Sequence, residues 1–310
     1  MSRYNGPNPD YAGRAALWMS MRAQPEGGGL LAACEVGWKD GHAVTQTDLV
    51  VLVHGFNNNL EEAQSAYLGF RKRQDGLLGA DDAARLEAML GDVFWPGDAQ
   101  WGAFDFLDFL YYPKSIAQAK ATAPVLADCL MSRTDVQNLY FIGHSMGCRV
   151  VLETIKVLRA RGHATPIRKV CLMAAAVPTQ EVCAPAGLLA DAFIAADHVR
   201  VLYSPADTVL AWAFPVGETA GGDGVLPTAI GRYGDVPLQP GKADRDWIPN
   251  ASHSDYWGWK DDEPSAIAAQ EIADFLGIGS QAQTLRERVT APARPEPPPR
   301  PQPVRRIGHP

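Results

Sequence analysis

The sequence predicts an α/β protein, a predominantly parallel central sheet flanked by helices and without a large lid domain. Three observations carry this. Short runs such as Leu49-Val50-Val51-Leu52-Val53 and Leu139-Tyr140-Phe141-Ile142 are wholly apolar, as strands buried on both faces require. Those runs alternate with stretches of helical periodicity. One of them leads directly into Gly143-His144-Ser145-Met146-Gly147, a strand, a sharp turn with serine at its tip, and then a helical pattern.

In chain order, residues 1–45 form an N-terminal segment that reads weakly, with Leu30 to Trp38 expected as an early strand before the Lys39-Asp40-Gly41 turn. The strand at 49–53 ends in His54-Gly55-Phe56-Asn57-Asn58-Asn59. A helix should follow, capped by Asn58 or Asn59, burying Ala63, Tyr67 and Phe70 and closing with Arg71-Lys72-Arg73 near Gly76. A second helix is expected from Asp81 to Leu90, then a short strand from Asp92 to Trp95, stopped by Pro96-Gly97. Lys114 to Met131 reads as a helix interrupted at Pro124. After the serine turn, Val151, Ile155 and Leu158 mark the buried face of a helix ending at Arg159 to Gly162. Strands follow at 170–177 and 199–203, and the roughly twenty residues between them are too few for a large lid. Asp262-Glu263-Pro264 opens the last helix, with Ile267, Ile272, Phe275 and Leu276 facing in and Gly277 at its end. The catalytic domain is therefore placed at 46–279.

At 46% hydrophobic content, 310 residues can bury one large core. No apolar run approaches the ~18 residues that cross a membrane. The polar start lacks a signal-peptide hydrophobic region, and the five cysteines (34, 129, 148, 171 and 183) are odd in number and lack metal-ligand spacing. A reduced, cytoplasmic protein is the expectation, with export by a route that reads no N-terminal signal left open. Net charge is −7, but in the last thirty residues six arginines stand against two glutamates, a net of +4, which leaves −11 for the rest. That balance argues against a nucleic-acid partner. The 280–310 tail is rich in proline and arginine and is expected to be a disordered arm, either a solvated spacer or a docking segment for a protein partner.

Ser145 needs a base, an acid and an anion site. In folds built on this turn, nucleophile, acid and histidine follow in that order. His253 is the fitting base, because His309 lies beside the final residue. The competing reading of His253 is a loop histidine packed on Tyr256 and Trp257. Asp207 follows the 199–203 strand and would fix the imidazole tautomer. Its alternative is a helix N-cap, with Asp235 and Asp223 as reserve acids. The oxyanion donors are assigned to the N–H groups of Met146 and Phe56. His54 is expected as a structural histidine, His144 as a locally bonded one, and His42, His163 and His198 receive no role.

At these residues the chain resembles the α/β-hydrolase superfamily, and more finely a bacterial subgroup with no assigned function. The finer likeness lies in His54-Gly55-Phe56-Asn57-Asn58, in Phe94-Trp95-Pro96-Gly97, in Gly143 to Val150, and in His253 with Tyr256 behind it, within residues 46–277. It implies serine-hydrolase chemistry at Ser145, His253 and Asp207 and brings no substrate. That chemistry needs no metal or organic cofactor. An esterase or lipase is expected, with an acyltransferase or thioesterase on the same site, or a catalytically silent interaction protein of this fold, as the alternatives. A small-molecule or lipid ester is expected, since Trp95, Trp101, Phe104, Phe106, Phe109 and Trp212 could line an apolar mouth; the same aromatics could equally be core.

Overall fold

The computed structural model describes residues 9–26, 29–98, 112–183, 187–221, 227–236, 242–258, 260 and 262–279. Trp101, Phe104, Phe106, Phe109, Asp223, His309 and the 280–310 tail lie outside them.

The chain opens with α1 (Pro9–Ala12), β1 (Leu17–Arg22), β2 (Leu30–Trp38) and a 3-10 turn over Lys39–Gly41. It continues through β3 (Asp48–Val53), α2 (Leu60–Leu77), α3 (Ala80–Met89), β4 (Leu90–Phe94) and α4 (Tyr112–Met131). Then come β5 (Asn138–His144), α5 (Met146–Ala160), β6 (Ile167–Met173), α6 (Thr179–Val182), α7 (Ala190–Ala195) and β7 (His198–Tyr203). A π-helical turn at Val209–Ala213 leads into α8 (Phe214–Gly221), followed by α9 (Ile230–Tyr233), β8 (Ala243–Trp247), a 3-10 turn at Asp255–Trp257 and α10 (Glu263–Leu276).

The strands form an eight-stranded sheet in the order β2-β1-β4-β3-β5-β6-β7-β8. Only the β1–β2 pair is antiparallel; each other neighbouring pair runs parallel. This is the α/β class that the apolar strands predict. Leu49 to Val53 are fully buried, since a parallel sheet is covered on both faces. On one side α2, α3 and α10 pack together, and on the other α4, α5, α7 and α8 do. β5 therefore sits inside the sheet between β3 and β6, and its carboxyl end delivers the serine turn where α/β sheets bind ligands.

Local chemistry explains the helix starts. Asn59 caps α2 in a closed capping box: its Oδ1 accepts from Glu62 N at 3.0 Å and Glu62 accepts from Asn59 N at 2.8 Å. Asp262 caps α10 through the Ser265 N–H, and Gly277 ends it at φ 76°.

Several boundaries differ from the expected ones. α2 is not among them: it ends at Leu77, beside Gly76 as expected, and its Arg71 is a buried partner of Asp92 and Glu87. α4 continues through Pro124. The lost N–H bond costs about 3 kcal/mol in a helix interior, and burial of Ile116, Ala119, Ala123, Leu126, Ala127 and Leu130 along one face offsets it. β6 stops at Met173 rather than Val177, as Ala174 takes φ 43° and 174–177 turns away to bond with the start of α9. β1 falls within residues 1–45, where early strands of the sheet are expected without bounds, and β8 lies where no strand is expected. β8, Ala-Asp-Arg-Asp-Trp, is a charged edge strand without the apolar run that marks its buried neighbours. Among the described residues no helix is long and apolar enough to cross a membrane.

Candidate active site

Ser145 links β5 to α5 at φ 53° and ψ −125°, a conformation that a side chain rarely adopts and that the surroundings must hold. They hold it from both sides. The Ser145 N–H donates to Met173 O at 3.0 Å, and the Ser145 carbonyl accepts from Ala176 N and Cys148 N, each at 3.1 Å. Glycine at 147 is a steric requirement, because a Cβ there would stand 2.3 Å from the His54 carbonyl oxygen. A strained, braced turn with serine at its tip is the result.

Two loops distant in sequence converge on this serine. His253 Nε2 lies 2.8 Å from Ser145 Oγ, and His253 Nδ1 lies 2.7 Å from Asp207 Oδ2. A carboxylate can only accept, so Nδ1 carries the proton and Nε2 presents its lone pair to the serine hydroxyl. Asp207 is fully buried, while His253 keeps 19% of its side chain exposed. Asp207 Oδ1 also accepts from Leu210 N at 3.0 Å. The two sequence readings of this residue are thus compatible: one oxygen caps the turn at 208–211 and the other faces the histidine. Asp235, the reserve acid, is half-buried behind α9 in the chain and is not the carboxylate on the imidazole.

The loop after β3 closes the site from the other side. A Cβ on Gly55 would fall 2.9 Å from His144 Nδ1 and 3.1 Å from Ser145 Cβ, so this loop touches the serine turn. Phe56, the next residue, is half-buried against the core. Met146 is the first residue of α5, where an N–H has no acceptor inside the helix. The same loop is clamped from beyond. Asn57 N donates to Gly97 O at 2.7 Å, and Trp95 Nε1 donates to His54 O at 2.8 Å. Fully buried Arg22 donates to the Trp95 and Pro25 carbonyls, each at 2.9 Å, and pairs with Asp98 at 2.7 Å. Trp95 is therefore core, not mouth: it is buried and stacks on His54 with centroids 5.7 Å apart. Trp212 is 78% exposed on the turn that follows Asp207.

The remaining histidines separate clearly. His54 is buried, its Nδ1–H donates to Gly55 O at 2.8 Å, and burial and the nearby Arg22 charge hold its pKa down at about 3. His144 does not bond locally as expected. Its Nε2 reaches the main-chain carbonyl of His253 at 2.7 Å, 109 residues away. Burial first, and the neighbouring His253 second, lower its pKa to about 3, so it is neutral. His198 pairs with Asp244 on β8. Among the described residues no group of three or more His, Cys, Asp or Glu side chains could hold a metal ion. A cavity of about 300 Å³ between α2 and α10, lined by Lys72, Arg73, Leu77, Lys260 and Ala269, contains none of the triad candidates.

Sequence reasoning missed Arg22 and Arg149. Arg22 closes a mostly apolar strand, a position at which a cation must find partners, and that was its one available signal. Arg149, in the first turns of α5, is buried between Glu181 of α6 and Glu218 of α8 at 3.0 and 3.2 Å. It ties the segment after Asp207 to the helix after Ser145.

Among solved structures, the fold is similar to an esterase from Pyrobaculum calidifontis, with 14% identity, 79% of each chain covered and a TM-score of 0.41. It is similar also to Est1E from Butyrivibrio proteoclasticus, with 11% identity, 78% of this chain and 90% of that one covered, and a TM-score of 0.40. No curated protein sequence matches. The family model described as "Alpha/beta hydrolase of unknown function (DUF900)" matches residues 40–220, which include Ser145 and Asp207 and stop short of His253. With more than half of its length matched, the chain belongs to this α/β-hydrolase family.

Proposed function

We propose that this protein is a serine hydrolase that cleaves a carboxylic ester through a Ser145-His253-Asp207 triad and an acyl-enzyme. The observation that carries the reading is the unbroken hydrogen-bond relay from Asp207 Oδ2 to His253 to Ser145 Oγ, at 2.7 and 2.8 Å. His253 takes the Ser145 proton as Oγ attacks the carbonyl carbon. Asp207 stabilises the imidazolium, and the Phe56 and Met146 N–H groups receive the developing oxyanion. The imidazolium then gives its proton to the leaving alcohol. A water molecule, activated by the same base, releases the acid and restores Ser145. Each oxyanion donor lowers the barrier by about 3 kcal/mol. The chemistry asks for no metal or organic cofactor.

We further read the chain as one of a bacterial subgroup marked by His54-Gly55-Phe56-Asn57-Asn58 and Gly143-His144-Ser145-Met146-Gly147. The loop that carries the first motif is clamped by Trp95 and Gly97, which gives a physical reason for Phe94-Trp95-Pro96-Gly97 to accompany it. Exposed Trp212 supports an apolar or lipid-like acyl group. Acyl transfer to an alcohol or thiol acceptor, and thioester cleavage, use the same site. The test is a panel of p-nitrophenyl esters of increasing chain length, assayed with wild type and Ser145→Ala and with an added alcohol acceptor. Hydrolysis by wild type and loss in the variant supports the reading. Equal, background-level rates across the panel contradict it and favour an interaction protein on the same fold.

A further inference from the structure

We propose that His144 is a positioning residue, whose Nε2–H holds the main-chain carbonyl of His253 and so locks the loop bearing the base to the turn bearing the nucleophile. This rests on the serine-hydrolase reading for its functional meaning, and on geometry for its content. The imidazole adjoins Ser145 in the chain and donates across the site to His253 O at 2.7 Å. A carbonyl can only accept, so Nε2 must carry the proton and Nδ1 a bare lone pair. That lone pair is buried, meets no donor among the described residues, and faces Gly55 closely enough that a Cβ would lie 2.9 Å away. One ring thus contacts all three walls of the site: the loop after β3, the serine turn and the histidine loop.

The rest of the histidine loop is braced from behind. Asp255 accepts from Ser252 N at 2.7 Å and pairs with Lys260, and Ser265 Oγ donates to Asp255 O. Those bonds fix the loop to α10 and its approach. The bond from His144 fixes it to the nucleophile, at the residue whose ring must stay within hydrogen-bond reach of Ser145. The imidazole is also packed, with centroids 5.7 Å from Trp257 and 6.2 Å from Tyr256. A space-filling role and a hydrogen-bonding role therefore make opposite forecasts for two substitutions. In His144→Gln the amide nitrogen can overlay Nε2, which keeps the donor while losing the ring. In His144→Phe the ring volume stays and the donor is lost.

The experiment compares wild type, His144→Gln, His144→Phe and His144→Asn, whose shorter amide cannot reach the carbonyl. Two readouts are taken: steady-state ester hydrolysis, and the downfield NMR signal of the His253 Nδ1 proton bound to Asp207. The proposal expects His144→Gln to stay within about 3-fold of wild type in kcat. His144→Phe and His144→Asn should lose about 10- to 100-fold in kcat with little change in KM, as a displaced base does, and their downfield signal should broaden or vanish. If His144→Phe does not fold, the Gln and Asn pair decides alone. An unchanged signal and unchanged kcat in His144→Phe or His144→Asn overturns the proposal, as does a His144→Gln variant as damaged as they are. If wild type hydrolyses no ester, the functional reading fails, and the NMR signal still decides whether His144 holds the loop.

Discussion

In the proposed triad, Asp207 would serve architecture and chemistry together. Its two oxygens face different partners, the Leu210 N–H and the His253 ring. Asp207→Asn keeps the shape but offers an amide where the ring N–H must donate, which favours the wrong tautomer. The expected loss in kcat is about 10⁴-fold, with the fold intact, read by steady-state kinetics and circular dichroism. The pairing of Ser145 with His253 was legible in the sequence because the Gly-x-Ser-x-Gly turn is a local pattern and chain order leaves few histidines. His144 was misjudged for the opposite reason: its partner is a carbonyl 109 residues away, and no local pattern encodes that.

The turn between β5 and α5 is set by contact between elements rather than by its own sequence. Gly147→Ala would drive a methyl group into the His54 and Val53 carbonyls, where a Cβ stands 2.3 and 2.5 Å away. The loop after β3 must then retreat. The expected result is a loss of about 1–3 kcal/mol of stability, or more, together with a fall in kcat, measured by urea unfolding and ester hydrolysis. Arg149→Met removes the guanidinium that pairs with both Glu181 and Glu218, whose carboxylates are buried. Breaking a buried ion pair in this way costs about 3–5 kcal/mol, and the urea midpoint should fall accordingly. β3, β4, β5 and β7 were legible as buried strands, and β2 is found at the expected Leu30 to Trp38 although it is only partly buried. β1 was not bounded and β8 not expected, since β1 carries Ser20 and Arg22 and β8 carries three charges in five residues. The helix through Pro124 shows tertiary burial outweighing a strong local breaker.

Taken whole, the molecule should lose stability in mild acid. His54 and His144 hold folded pKa values of about 3 against about 6.5 in the unfolded chain. Above pH 6.5 neither form binds a proton there and their contribution is complete. Between pH 6.5 and 3 the unfolded chain takes up two protons that the fold refuses, so stability falls with pH at up to about 2.7 kcal/mol per unit. Urea midpoints at pH 7.5, 6.5 and 5.5 should therefore decline through a range in which ordinary carboxylates barely titrate. A flat profile would show that these imidazoles accept protons in the folded state. We also propose that the domain ending near residue 279 is sufficient by itself. Truncation before residue 280 should leave the melting temperature and ester hydrolysis unchanged, and loss of either would assign the proline- and arginine-rich tail to the catalytic unit.

The most direct test of the account is covalent. The protein is treated with a fluorophosphonate, digested, and the modified peptide mapped by mass spectrometry. One adduct on Ser145, absent from Ser145→Ala and greatly slowed in Asp207→Asn, is the predicted result. Wild-type protein that stays unmodified, or an adduct elsewhere that persists in Ser145→Ala, would contradict it.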